Sequence, residues 1–170
     1  KTAGIDVVYK TSDISDNNSV NELFKYGSSL GKIKTIVNSA GVSGVGVDAK
    51  LTFEIDLIGT QNLIDNTLKY MDKGTVLILI SSMMGHLVPS NEKYDSYLEN
   101  PTKEGSIEAL IQIVGNNADT AYNFSKKGVH MLVKKYASEF GKHGGRILSL
   151  SPGIIMTPMG EKAAEAHPEQ

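Results

Sequence analysis

The sequence contains no cysteine, which removes disulfides and Cys-ligated metal sites, and with them the secreted, disulfide-stapled scaffold. No apolar run approaches the ~18 residues that a membrane-spanning helix needs. The opening residues carry no signal-peptide pattern, so cytoplasm is the expected compartment. Charge of one sign is not in excess either. A net charge of −2 at pH 7 gives neither nucleic acid nor an acidic membrane surface a reason to bind. Internal repeats and low-complexity tracts are missing. His86, His130, His143 and His167 show no metal-ligand spacing with carboxylates, so no metal site is expected, and surface or filler positions suit them. What is present is an ordinary globular composition over 170 residues, 40% hydrophobic and 21% charged, enough for one domain with a core.

Short β-branched runs alternate with amphipathic stretches, the pattern of an α/β fold with a parallel sheet. Four strands are predicted: Ile5 to Asp13, the run "KTIVNSAG", the run "GTVLILISS", and Arg146 to Leu150. Thr75 to Ile80 is continuously apolar or β-branched, as in a central strand buried on both faces. Asp16 is the expected N-cap of a helix with Val20, Leu23, Phe24 and Leu30 on its apolar face. A long helix from about Ala49 to Met71 carries Phe53, Leu57, Leu63, Ile64 and Leu68. The stretch "TAYNFSKKGVHMLVKKYASEF" forms another, with Val129, Leu132, Val133, Tyr136 and Phe140 as its core stripe. Between these elements, residues 86–116 are mostly polar and broken by Pro89, Pro101 and Gly105. Ile107, Leu110, Ile111 and Val114 recur there at i, i+3, i+4, i+7, so one short extra helix is predicted. Four strands make an incomplete sheet with apolar, unpaired edges, which natural sheets avoid. With Lys1 in place of an initiating Met, the chain reads as a fragment, or as a domain whose edges a partner covers.

Chemistry concentrates at strand ends. Ser81 and Ser82 stand at the carboxyl end of the central strand, where open α/β sheets bind ligands. "NSAG" and "LSPGIIMTPM" follow two further strands at the same rim. Tyr122 and Lys126 lie one turn apart near the start of their helix, which puts a phenol and an ammonium on one face. With seven tyrosines in the chain, that pair alone is a chance match as readily as a site. Its company at one rim is what chance does not produce. Met83, Met84, Met156 and Met159 flank these motifs, where flexible thioethers line an apolar pocket or fill core.

In this order, "SDISD", "NSAG", "ISSMMG", "YNFSK" and "SPGIIMT" resemble the catalytic half of a classical short-chain dehydrogenase/reductase. The resemblance runs from Ser12 to about Met159. It implies a Rossmann-type, doubly wound parallel sheet, here without its first strand–helix–strand unit and last strand. It implies hydride transfer between a secondary alcohol and a ketone with NAD or NADP, NAD placed ahead, in a homo-dimer or homo-tetramer. By the same resemblance Tyr122 exchanges a proton with the substrate oxygen, Lys126 activates the phenol and bonds the cofactor ribose, and Ser82 orients the reacting oxygen. Asp13 and Ile14 take the adenine position, while Asn38, Ala40 and Gly41 line the cofactor. Pro152, Gly153, Ile155 and Thr157 hold the nicotinamide carboxamide. A free phenol titrates near ~10, so work near pH 7 needs a lowering worth ~4 kcal/mol. One cation about 4 Å away supplies that much only at an effective dielectric of about 20.

Three departures qualify the resemblance. The Gly-rich phosphate loop is missing; "GVSGVG" (41–46) follows the wrong strand and opens no helix pattern, so it reads as a plain loop. Asp56 stands where the family has Asn. Its backbone carbonyl is expected to hold the water that links the lysine to solvent, with the side chain merely tolerated, although an ionised side chain could pair with Lys126. Finally, the segment from 86 to 116 separates Ser82 from Tyr122 far more widely than in most members. A comparable insertion occurs in bacterial 3α-hydroxysteroid dehydrogenase/carbonyl reductases, and a substrate lid, an oligomerisation element or ordinary packing would each account for it. Rival readings are an epimerase or dehydratase of the extended branch and a non-catalytic module kept for association.

Overall fold

The computed structural model describes residues 7–153, 155, 157 and 165. Its first helix, α1 (Asn17–Leu30), starts where Asp16 accepts a hydrogen bond from the Asn18 N–H, satisfying one of the amides a helix start leaves unpaired. Val20 and Phe24 are buried against Leu63, whereas Leu30, expected on the same face, is exposed. It is the helix's last residue, beyond the reach of the packing. No strand forms over residues 7–13, and Ile5 and Asp6 of the predicted strand lie outside the described residues. A strand needs a neighbour to complete its hydrogen-bond ladder, and none of the described residues pairs with this one.

The sheet is therefore three-stranded among the described residues: β1 (Thr35–Asn38), β2 (Val76–Ile80) and β3 (Arg146–Leu150), parallel, in the order β1-β2-β3. One helical path connects β1 to β2, made of α2 (Ala49–Phe53), a π-helical turn (Glu54–Ile58) and α3 (Gly59–Tyr70). The sequence predicts this helix as continuous and gives no sign of the π turn. Three threonines along the path, Thr52, Thr60 and Thr67, bury their hydroxyls by donating to carbonyls four residues back. On one sheet face, Leu77, Leu79 and Ile147 pack with Phe53, Leu57, Ile64, Leu132 and Phe140 in the main core. Among the described residues the opposite face is largely uncovered. Val37, Ile78 and Leu148 stand in register across it, and Val37, Leu148 and Leu150 are about half exposed. The central strand is thus buried on one face rather than on both.

Residues 86–116 contain more order than one predicted helix. After α4 (Met84–Leu87) come α5 (Glu92–Glu99) and α6 (Ser106–Ile113). Ile107, Leu110 and Val114 join the main core, as do Tyr94 and Leu98 of α5. The long helix α7 (Ala118–Lys142) follows, capped by Asn117, whose side chain accepts from the Thr120 N–H. Val129, Leu132 and Phe140 are its buried stripe, with Val133 and Tyr136 partly buried beside them. Among the described residues no helix is long and apolar enough to cross a membrane.

Candidate active site

The carboxyl ends of the three strands open on one rim, and each contributes a polar turn. Asn38 closes β1, its side-chain oxygen accepting from the Ala40 N–H at 3.2 Å. After β2 the two serines diverge. Ser81 is buried and spends its hydroxyl on the Lys126 carbonyl, 3.0 Å away, tying the strand end to α7. Ser82 accepts from the Met84 N–H at 3.2 Å, a bond that leaves its own proton to donate. The turn after β3 is stitched to the turn after β2: the Ser81 N–H donates to Leu150 and the Met83 N–H to Pro152.

Helix α7 brings Tyr122 and Lys126 to this rim on one face. The Lys126 ammonium lies 5.2 Å from the Tyr122 ring centroid. It also approaches the Ile80 carbonyl at 3.4 Å and Asp56 Oδ2 at 3.2 Å, with only 9% of the lysine side chain and none of the aspartate exposed. Asp56 Oδ1 accepts from the Val42 N–H at 2.8 Å, while Oδ2 receives no directed hydrogen bond. Burial pushes the Asp56 carboxyl above the ordinary carboxylate range, opposed by Lys126 and the Val42 N–H. Of the two arrangements expected for Asp56, its side chain takes the pairing with the lysine, while its backbone carbonyl accepts the Thr60 hydroxyl at 2.7 Å. The π turn carries it, and Gly41 makes room. A Cβ at Gly41 would lie 3.0 Å from Asp56 Oδ1 and 3.6 Å from the lysine nitrogen.

Asp13 sits apart on the exposed side of the rim. Its carboxylate accepts both the N–H and the hydroxyl of Ser15, which hold it below the ordinary range. Ile14 packs on Gly59, and the Asn62 amide donates to the carbonyls of Ile14 and Ser15, fixing the turn to α3. Gly153 faces Met83; Ile155 is exposed and accepts from the Thr157 N–H at 2.8 Å. Met156, Met159 and His167 lie outside the described residues. The loop 41–46 is no phosphate cradle. At Gly44, with φ at +85°, an added Cβ would run into the Ala118 carbonyl, and the next helix start is already capped by Asp48.

Two features had no usable sequence signal. Lys127, next to Lys126, is buried with its ammonium 2.9 Å from Asp95 and 2.6 Å from the Pro89 carbonyl, which fastens α5 to α7. His86, exposed, and His130, half-buried, stack at 4.0 Å, both bonded to the Ser151 hydroxyl, so they brace the turn after β3 from the surface. Burial and the neighbouring His86 and Lys134 lower the pKa of His130 to about 4.

Similarity to known proteins agrees with this arrangement. Residues 103–170 match a family model described as enoyl-(acyl carrier protein) reductase. The whole chain aligns at 28% identity with 63% of a short-chain dehydrogenase/reductase, bsc3, from Alternaria brassicicola. It aligns at 26% identity with 60% of a galactitol 2-dehydrogenase from Rhizobium johnstonii. The 3-alpha-hydroxysteroid dehydrogenase from Pseudomonas sp. B-0831, solved with NADH, superposes with a TM-score of 0.74 at 19% identity, over 92% of this chain and 63% of that one. The chain thus spans about three-fifths of the length of the relatives it matches. Its fold is a partial Rossmann-type parallel sheet. With its motifs in the order of the classical short-chain dehydrogenases/reductases along a sheet of that fold, the chain is similar to members of that family.

Proposed function

We propose that the protein interconverts a secondary alcohol and a ketone, with a hydroxysteroid or other carbonyl compound as substrate. The carrying observation is that Tyr122, Lys126, Asp56 and Ser82 gather at the carboxyl ends of parallel strands. A dinucleotide fits the residues present on its nicotinamide and adenine sides. Gly41 leaves the rim open against the lysine, Pro152 and Gly153 form the opposite lip, and the exposed Asp13 carboxylate offers an acceptor to an adenine amino group. Asn38, Ala40 and Ile14 would border it, with Ile155 and Thr157 beyond the lip. Among the described residues no Gly-rich turn opens a helix toward the pyrophosphate. When bound, the nicotinamide supplies or takes up the hydride.

The chain's own residues do the rest. Tyr122 donates its hydroxyl proton to the ketone oxygen, or takes it back from the alcohol. Ser82 donates a hydrogen bond to that oxygen as charge develops on it. Lys126 holds positive charge beside the phenol and would hydrogen-bond the cofactor's ribose. NAD is placed ahead of NADP, although similar structures hold either, NADH in the 3-alpha-hydroxysteroid dehydrogenase and NADP in ElxO; the protein would work as a homo-dimer or homo-tetramer in the cytoplasm. The test is a fluorescence titration with NADH and NADPH, followed by a panel of ketones and enoyl thioesters. Ketone-dependent oxidation of the bound cofactor supports the reading. Cofactor binding with no turnover of any ketone, or turnover of enoyl compounds alone, rejects it.

A further inference from the structure

The buried aspartate beside the lysine sets the character of the site, and this deepens the oxidoreductase reading, on which it rests. Asp56 is fully buried and bridges two parts of the rim. One oxygen holds the Val42 N–H of the loop after β1, and the other touches the Lys126 ammonium. Three local features serve that placement: the π turn that carries residue 56, the side-chain-free Gly41 next to the carboxylate, and the near-complete burial of both partners. A carboxylate in contact with an ammonium converts a net charge into a dipole, whose effect on a third group falls off faster with distance than a free charge's.

We propose that Asp56 is a positioning residue that cancels part of the charge Lys126 presents to Tyr122, and so favours the proton-donating role that Tyr122 plays in ketone reduction. Reduction needs a proton donor: the hydride adds to the carbonyl carbon, and the Tyr122 proton goes to the oxygen, giving the alcohol. Among the described residues, α7 brings Tyr122 and Lys126 to the pair, β2 the Ile80 carbonyl and the loop after β1 the Val42 N–H. Glu54, in the same π turn, is engaged with Lys50 at 3.5 Å. Lys127 is turned to Asp95, and Asp119 lies beside Gly44.

Asp56→Asn separates charge from shape, because its amide oxygen can keep the Val42 bond. Tyrosinate absorbance is followed against pH in the wild-type chain and in Asp56→Asn, each paired with its Tyr122→Phe counterpart so that the Tyr122 signal is obtained by difference. This readout needs neither cofactor nor substrate. The Tyr122 signal is expected to emerge ~1 pH unit lower in Asp56→Asn, and Asp56→Glu is expected to stay with the wild type. An unmoved or higher onset in Asp56→Asn overturns the proposal. If that variant does not fold, carbon NMR of the Asp56 carboxyl in the wild type decides: ionised at pH 7 supports the proposal, protonated at pH 7 overturns it. In the assay with ketone and NADH, the high-pH decline should move to lower pH in Asp56→Asn. Failure of the oxidoreductase reading would show separately, as absent turnover alongside an intact titration difference.

Discussion

Lys126 and Lys127 are neighbours on one helix, both almost fully buried and each ion-paired with an aspartate, yet they serve different parts of the molecule. Lys126 turns to the strand-end rim, where Asp56, the Ile80 carbonyl and Tyr122 surround it. Lys127 turns to the segment before α6, where Asp95, the Pro89 carbonyl and the Tyr94 ring receive it. A step of one residue along a helix is about a 100° rotation, enough to point one ammonium at the strand-end rim and the next at the packing of α5 on α7. Burial and pairing alone therefore do not separate the two lysines. Their neighbours do.

The comparison can be broken in order of effect. Lys126→Met should abolish turnover in the ketone assay. At neutral pH it should also cost about 3–5 kcal/mol in urea unfolding, because the buried Asp56 carboxyl loses its partner. Lys127→Met should cost less, about 1–3 kcal/mol, since Asp95 keeps some exposure and can rehydrate. Turnover should survive, and hydrogen exchange should accelerate over residues 89–99. Equal loss of turnover in the two variants would erase the distinction.

Acidification supplies a subtler contrast. His130 has its pKa lowered to about 4, below its unfolded value. It therefore contributes stability that is full above the ordinary histidine range and is lost as pH falls through about 4. The pKa of Asp56 is raised by burial. Its contribution runs the other way: fully present below the ordinary carboxylate range and lost as pH rises through its raised value. Unfolding curves from pH 7 to pH 4 should flatten in His130→Gln and steepen in Asp56→Asn. Identical slopes in both variants would contradict the assigned causes. The smallest effect belongs to Lys135→Ala. Lys135 is exposed and caps the end of α5 through Glu99 and Asn100, and neither turnover nor midpoint should change measurably.

Much of this was legible in the sequence because it rests on local pattern. The bounds of β3, the caps at Asp16, and the Tyr122–Lys126 face of α7 all follow from periodicity and capping chemistry. Helix α5 was not legible. Its buried residues are only Tyr94 and Leu98 in a polar octapeptide, and its anchor, Lys127, is thirty-odd residues away. The π turn was equally hidden, since a single widened turn leaves no trace in hydrophobic spacing. The strand predicted over residues 5–13 had the right composition but lacks a neighbour among the described residues, and composition cannot supply one. For the same reason the apolar run of β2 reads as buried on both faces while the structure covers one.

Tyr122→Phe tests the centre most directly. Ketone-dependent NADH oxidation is measured for this variant and for the wild type at matched cofactor occupancy, set by fluorescence titration. Removing one hydroxyl should lower turnover by ~10²–10⁴-fold while cofactor affinity and unfolding midpoint stay close to wild type. Turnover within a few-fold of wild type, with the variant folded and loaded, would contradict the assignment of Tyr122 as the proton donor.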